Sequence, residues 1–150
     1  MTLEPVSTQT FSVDFPGDIE YIPPVRKFIS RLINANAFSR RFTFRTEIII
    51  DEVCNNAVKF GVFKGEDAVI LTCRIEEGGV TIDVANPEGD PASVERLRRF
   101  LNDDLPDGDD TQPFRGMQIV KILCNSIEVK SLAGRTCVSI VKRKNHNEDL

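Results

Sequence analysis

The stretch EIIIDEVCNNAVKFG, Glu47 to Gly61, leaves room for one regular structure, a long helix with two unlike faces. Ile50, Val53, Cys54, Ala57 and Val58 recur at i, i+3, i+4, i+7 and i+8, the spacing of a buried helical stripe. Glu52, Asn56 and Lys59 stand at i, i+4 and i+7 and gather a carboxylate, an amide and an ammonium on another face. Gly61 is placed to end the helix as a C′ residue. A polar helix face is most often only solvated charge. Here two consecutive asparagines, Asn55 and Asn56, occupy mid-helix although asparagine is a mediocre helix former, which points to a task for the side chain. One side of the element packs, and the other can handle a metal-bound phosphate.

A chain of 150 residues is expected to form a single domain, 1–150, with a core that needs no staples. The net charge of −4 argues against a nucleic-acid or anionic-membrane surface. The pairs Arg40–Arg41 and Arg98–Arg99 read as solvated faces. No apolar run approaches the ~20 residues of a membrane span, and the N-terminus lacks a secretion signal. Cys54, Cys73, Cys124 and Cys137 are widely spaced in apolar segments, without zinc-site spacing; they read as buried, reduced thiols of a cytoplasmic protein. The single histidine, His146, lies in the polar tail, so a histidine-based nucleophile relay is not expected.

Along the chain, Thr10–Phe15 alternates as a strand, and Pro23–Pro24 suits the first turn of a helix with Val25, Phe28, Ile29, Leu32 and Ile33 inward. Residues 34–41 read as an irregular connection, with Thr43 the candidate N-cap of the long helix. Ala68–Ile75 and a strand containing Val80, Ile82 and Val84 form a hairpin, and Asn86–Pro91 reads as a loop. Ala92–Leu101 is a short amphipathic helix. Residues 102–115 form an acidic lid with five aspartates; calcium-loop spacing and a closing glutamate are absent. Gly116 opens a helix with Met117, Ile119, Val120, Ile122 and Leu123 apolar, Ile127–Ser131 and Thr136–Val141 form a second hairpin, and 142–150 reads as a charged, frayed tail. Strands in adjacent hairpins with helices between them predict an α+β, two-layer sandwich: a mixed, mostly antiparallel sheet with helices on one face.

The element order and the segment DEVCNNAVKFG resemble the ATP-binding domain shared by gyrase, MutL, sensor histidine kinases and the bacterial anti-sigma-factor serine kinases, the GHKL or histidine kinase-like ATPases. The resemblance covers about Thr10 to Arg143, and the small size favours the anti-sigma group. The family's E-x-x-x-N motif falls on Glu52 and Asn56. By resemblance Glu52 orients or deprotonates an attacking hydroxyl, and Asn56 holds Mg²⁺ through its amide oxygen, with Lys59 nearby. Mg²⁺ takes hard oxygen ligands and fills its shell from water and phosphate, which suits an amide donor. Gly116-Met117-Gln118-Ile119-Val120 resembles the last five positions of the family's G-x-G-L-G-L-x-I-V, with Met117 for leucine. Backbone N–H groups at such a helix start face phosphates. Ala133-Gly134-Arg135-Thr136 resembles the G-G-T turn whose threonine sits near the nucleotide.

The sequence departs from the family at both loops. ANPEGDP stands for D-x-G-x-G, so Asn86 replaces the aspartate that meets the adenine amino group, and Gly89 is the nearest glycine. Gln112, Pro113, Phe114 and Arg115 replace G-x-G-L, and Phe60 replaces a usual histidine. The resemblance implies an anti-sigma-like serine protein kinase that binds Mg²⁺·ATP through Asn56, Lys59, Asn86, Gly89, Arg115, Gly116, Met117 and Thr136, with Glu52 catalytic. Its implied partner is a regulatory protein, an antagonist or a sigma factor, and a homodimer is implied in the same way. The eroded glycines keep a non-catalytic protein-binding module of the same fold open, and a stand-alone histidine-kinase catalytic domain is a further alternative.

Overall fold

The computed structural model describes residues 8–145. Five strands form one sheet: β1 (Gln9–Pro16), β2 (Ala68–Glu76), β3 (Gly79–Pro87), β4 (Ser126–Leu132) and β5 (Arg135–Arg143), in the order β1-β2-β3-β5-β4. Four α-helices accompany them: α1 (Ile22–Asn34), α2 (Arg40–Phe60), α3 (Pro91–Leu101) and α4 (Arg115–Leu123). The fold is the expected α+β sandwich. Every neighbouring strand pair is antiparallel, so the sheet is not mixed. The hairpins β2–β3 and β4–β5 fix two pairs by local turns. Ala133 (φ 50°) and Gly134 (φ 77°) make the second turn in the left-handed region that a two-residue hairpin requires.

Period-2 alternation decides which face of the sheet is covered. Val69, Leu71 and Cys73 on β2, Ile82 and Val84 on β3, and Val138 and Ile140 on β5 point to the helices and are buried. They meet Ile29 and Ile33 of α1 and Ile49, Ile50 and Val53 of α2 in one core. The helix α2 lies between α1 and α4. Ser30 of α1 donates to Glu47 of α2, and Arg26 holds Asp51 through Oδ2 at 2.8 Å.

Several local expectations change. The N-cap of α2 is Ser39, whose Oγ accepts from Phe42 N at 3.0 Å; Thr43 is inside the helix and donates back to Ser39 O. Gly61 is extended (φ −73°, ψ 148°), so it ends α2 without a left-handed turn. An added Cβ there would lie 2.8 Å from the Phe63 ring and 2.9 Å from Ala57 O, and crowding explains the glycine. The expected loop at Asn86 is still strand, because β5 pairs with β3 as far as Pro87–Arg135. Phe28 is exposed rather than inward, and of the apolar residues of α4 Ile119 and Ile122 are exposed. The expected tail begins inside β5, where Lys142 is buried and donates to Leu123 O at 2.9 Å; positions 146–150 of that tail, His146 among them, lie outside the described residues. No helix among the described residues is long and apolar enough to cross a membrane.

Candidate nucleotide site

Glu52 and Asn56 are one turn apart on the side of α2 that faces α4 and the lid. Together with Asn55, Lys59, Phe60, Gln112, Pro113, Gly116 and Met117 they line an open cleft of about 210 Å³. The first turn of α4 presses directly on α2 here. A Cβ at Gly116 would overlap Oε2 of Glu52 and lie 2.9 Å from its Cδ, so only glycine lets the carboxylate rest against the helix start.

A second cavity adjoins the first through Asn56 and Phe60, which line both. Its wall includes Asn86, Gly89, Leu97, Phe114 and Thr136. Asn86 and Thr136 face each other across the β3–β5 ladder. The Asn86 amide donates to Pro87 O at 2.9 Å, which turns its oxygen into the acceptor left for a ligand. The hydroxyl of Thr136, a residue only 5 % exposed, has no hydrogen-bond partner among the described residues. A buried hydroxyl without a partner costs about 1–3 kcal/mol. The two groups together offer an acceptor beside a hydroxyl, a pairing suited to the edge of a heterocyclic base. Gly89 closes this cavity against the end of α2, where an added Cβ would strike Phe60 O.

The family model for the histidine kinase-like ATPase domain matches residues 15–142. The chain belongs to this family. No curated protein matches it.

In this ATPase domain the polar end of the site is open and the inner end is nearly filled. The inner cavity measures only about 20 Å³, room for about one water. Phe114 forms part of its wall. Its ring stacks on Phe100 at 5.1 Å and faces Phe60 at 6.4 Å, with Arg96 Cζ 5.6 Å from its centroid. The donor set at the polar end fits Mg²⁺ and phosphate, whereas the inner end is too small for a purine ring unless its walls part. No cluster of three or more His, Cys, Asp or Glu side chains among the described residues could hold a metal by itself.

The structure brings Glu52, Asn56, Lys59, Gly116 and Met117 to the cleft and Asn86, Gly89 and Thr136 to the inner cavity. Arg115 is exposed and lines neither. None of the five lid aspartates lines either cavity. Asp103 accepts from Lys121, Asp104 pairs with Arg99 at 3.8 Å, and Asp110 Oδ1 accepts from Gln112 N at 3.0 Å. Sequence reasoning missed the ring trio Phe60, Phe100 and Phe114, because three aromatic positions on separate elements share no period that a sequence displays.

Proposed function

We propose that this ATPase domain is an anti-sigma-like serine protein kinase, which binds Mg²⁺·ATP, phosphorylates a serine of a small antagonist protein and sequesters a regulatory partner such as a sigma factor. The observation that carries the reading is the position of Asn56: it lines both cavities, one helical turn from Glu52, where the triphosphate and the base of one nucleotide would meet. Asn56 Oδ1 would hold Mg²⁺, and the ion's chemistry would be to neutralise charge on the phosphates. Lys59 supplies a further positive charge at the cleft. Glu52 accepts the proton of the serine hydroxyl as its oxygen bonds to the γ-phosphorus and the bond to the ADP oxygen breaks. Gly116 and Met117, at the start of α4, line the same cleft, and N–H groups left free at a helix start would suit phosphate oxygens.

Titration calorimetry with Mg²⁺·ATP is the direct test, and no heat at millimolar nucleotide ends the catalytic reading. Given binding, Glu52→Ala removes transfer while affinity stays within about threefold, because its role is confined to the reacting hydroxyl. Asn56→Ala weakens the magnesium dependence. Acid-stable phosphoserine on the partner is expected; acid-labile phosphohistidine would reassign the domain to the histidine-kinase type.

The small inner cavity, with Phe114 in its wall, favours a second reading, a non-catalytic binding module of the same fold. Pro113 in the cleft wall adds to it, since proline offers no N–H to a phosphate. Partner capture indifferent to ATP, ADP and magnesium is its signature.

A further inference from the structure

Phe114 stands where the lid meets the inner cavity. It lines that cavity and is buried, yet it belongs to a one-turn 3-10 helix, Gln112–Phe114, and not to the sheet or an α-helix. Its backbone N–H is used locally, donating to Thr111 O at 3.0 Å. Side chains of other elements hold its ring. Phe100 of α3 stacks on it, Phe60 at the end of α2 faces it, and the Arg96 guanidinium of α3 lies over it. The same guanidinium fastens the lid itself, with Nη2 donating to Asp110 O at 3.0 Å. Lys121 of α4 secures Phe100 in turn: its Nζ donates to Phe100 O at 3.2 Å and lies 5.2 Å from that ring's centroid.

These contacts control the way into the cavity. A volume of about 20 Å³ admits one water, whereas pockets that take small molecules start near ~300 Å³. A heterocyclic ring therefore needs a wall to move. Asn86 and Thr136 are fixed in the β3–β5 ladder. Asn56 and Phe60 belong to the long helix α2, whose buried side enters the core. Gly89 already lies too near Phe60 O for a Cβ. The helix α3 is anchored by buried Leu97 and Leu101. Phe114 is the wall on the least regular segment, held by ring contacts and one guanidinium. Beside it in the same wall, the Thr136 hydroxyl is buried with no partner among the described residues, as in a polar site closed without its ligand.

We infer, resting on the nucleotide reading of the site, that Phe114, Phe100 and Arg96 form a clasp that holds the inner cavity shut, and that a base enters only when the clasp opens. The apparent dissociation constant is then the intrinsic one divided by the fraction of molecules that are open, and association cannot outrun opening. Loosening the clasp from outside both cavities strengthens binding, the opposite of what loss of a ligand contact does. Arg96 is the residue for this, because it lines neither cavity.

The test uses the full chain, Mg²⁺ and ATP carrying a fluorescent methylanthraniloyl group on its ribose. In stopped flow the observed binding rate should reach a ceiling as nucleotide is raised. Arg96→Ala should lift that ceiling and tighten the dissociation constant, each by about fivefold, the scale of one lost cation–π contact and hydrogen bond. Phe114→Leu, which keeps an apolar side chain at a buried position, should act in the same direction. Amide hydrogen exchange of the nucleotide-free protein is the second readout. Arg96→Ala should quicken exchange by about fivefold over residues 110–114 and leave β3 unchanged. A binding rate that climbs without a ceiling, or an Arg96→Ala protein that binds no faster and no tighter, overturns the clasp while the nucleotide site stands. Absence of nucleotide binding by every variant ends the nucleotide reading instead. Exchange then decides the clasp by itself: faster exchange in Arg96→Ala supports it, and unchanged exchange overturns it.

Discussion

Gly116 and Glu52 touch because one of them has no side chain. The Cβ that alanine would add overlaps Oε2 and lies 2.9 Å from Cδ of Glu52, atoms at the free end of a flexible chain. The carboxylate can swing away, and alanine favours the helix by about 1 kcal/mol over glycine. Gly116→Ala should therefore keep stability within about 1 kcal/mol in urea denaturation. The displaced carboxylate no longer meets a serine hydroxyl, so phosphoryl transfer should fall by about tenfold or more. A variant that transfers normally would separate Glu52 from the reaction.

Gly89 presents the opposite case, because its missing Cβ would strike a backbone atom, Phe60 O, with the carbonyl carbon 3.4 Å away. A main-chain atom at the end of α2 cannot rotate aside. Gly89→Ala should cost about 1–3 kcal/mol, the range for overpacked sites. Calorimetric melting measures this; an unchanged melting temperature would mean that residues 88–90 give way instead.

Much of this site was readable on α2 because helical period places residues without help from the rest of the chain. Glu52, Asn56 and Lys59 needed only their spacing. The N-cap was misread because Thr43 looks like a cap, whereas Phe42 is buried in the core and carries the helix upstream to Ser39. Asn86 has the sequence of a loop, and only its pairing with Thr136 of β5 keeps it in a strand. Ile119 and Ile122 fit an apolar stripe on a short helix, yet α4 packs through Met117 and Val120 and leaves them outside. The fold class follows from local signals. The narrowness of the inner cavity, walled in part by Phe114 stacked on Phe100 and facing Phe60, depends on where three separate elements meet.

The buried thiols give a pH signature. Burial pushes Cys54 up to about 12, helped by the charge of Asp51, and burial alone pushes Cys73 up to about 12, from an ordinary value near 9.0. Below about pH 9 both thiols are protonated whether the chain is folded or not, and they contribute no pH dependence. Between about 9 and 12 the unfolded chain loses protons that the folded one keeps. Stability then falls as pH rises, by up to about 1.4 kcal/mol per pH unit for each thiol. Urea denaturation across that window should show the decline, and Cys73→Val should make it shallower. Both thiols should resist alkylation near pH 8 until the protein unfolds.

Thr136 gives the sharpest separation between folding and binding. Its hydroxyl is buried at the inner cavity without a partner among the described residues, so the folded state carries an uncompensated polar group. Valine keeps the branched shape and β propensity while removing that group. Thr136→Val should raise stability by about 1 kcal/mol in urea denaturation. If the hydroxyl is kept for a nucleotide base, the same change should weaken nucleotide binding by about fivefold or more in calorimetry, since a hydrogen bond available only to the ligand is lost. Asn86→Ala should weaken binding in the same way, because it removes the acceptor opposite. A Thr136→Val protein that is more stable and binds nucleotide as before would free the hydroxyl from any ligand role. The inner cavity would then be a packing defect, and the base would have to lie elsewhere in the site.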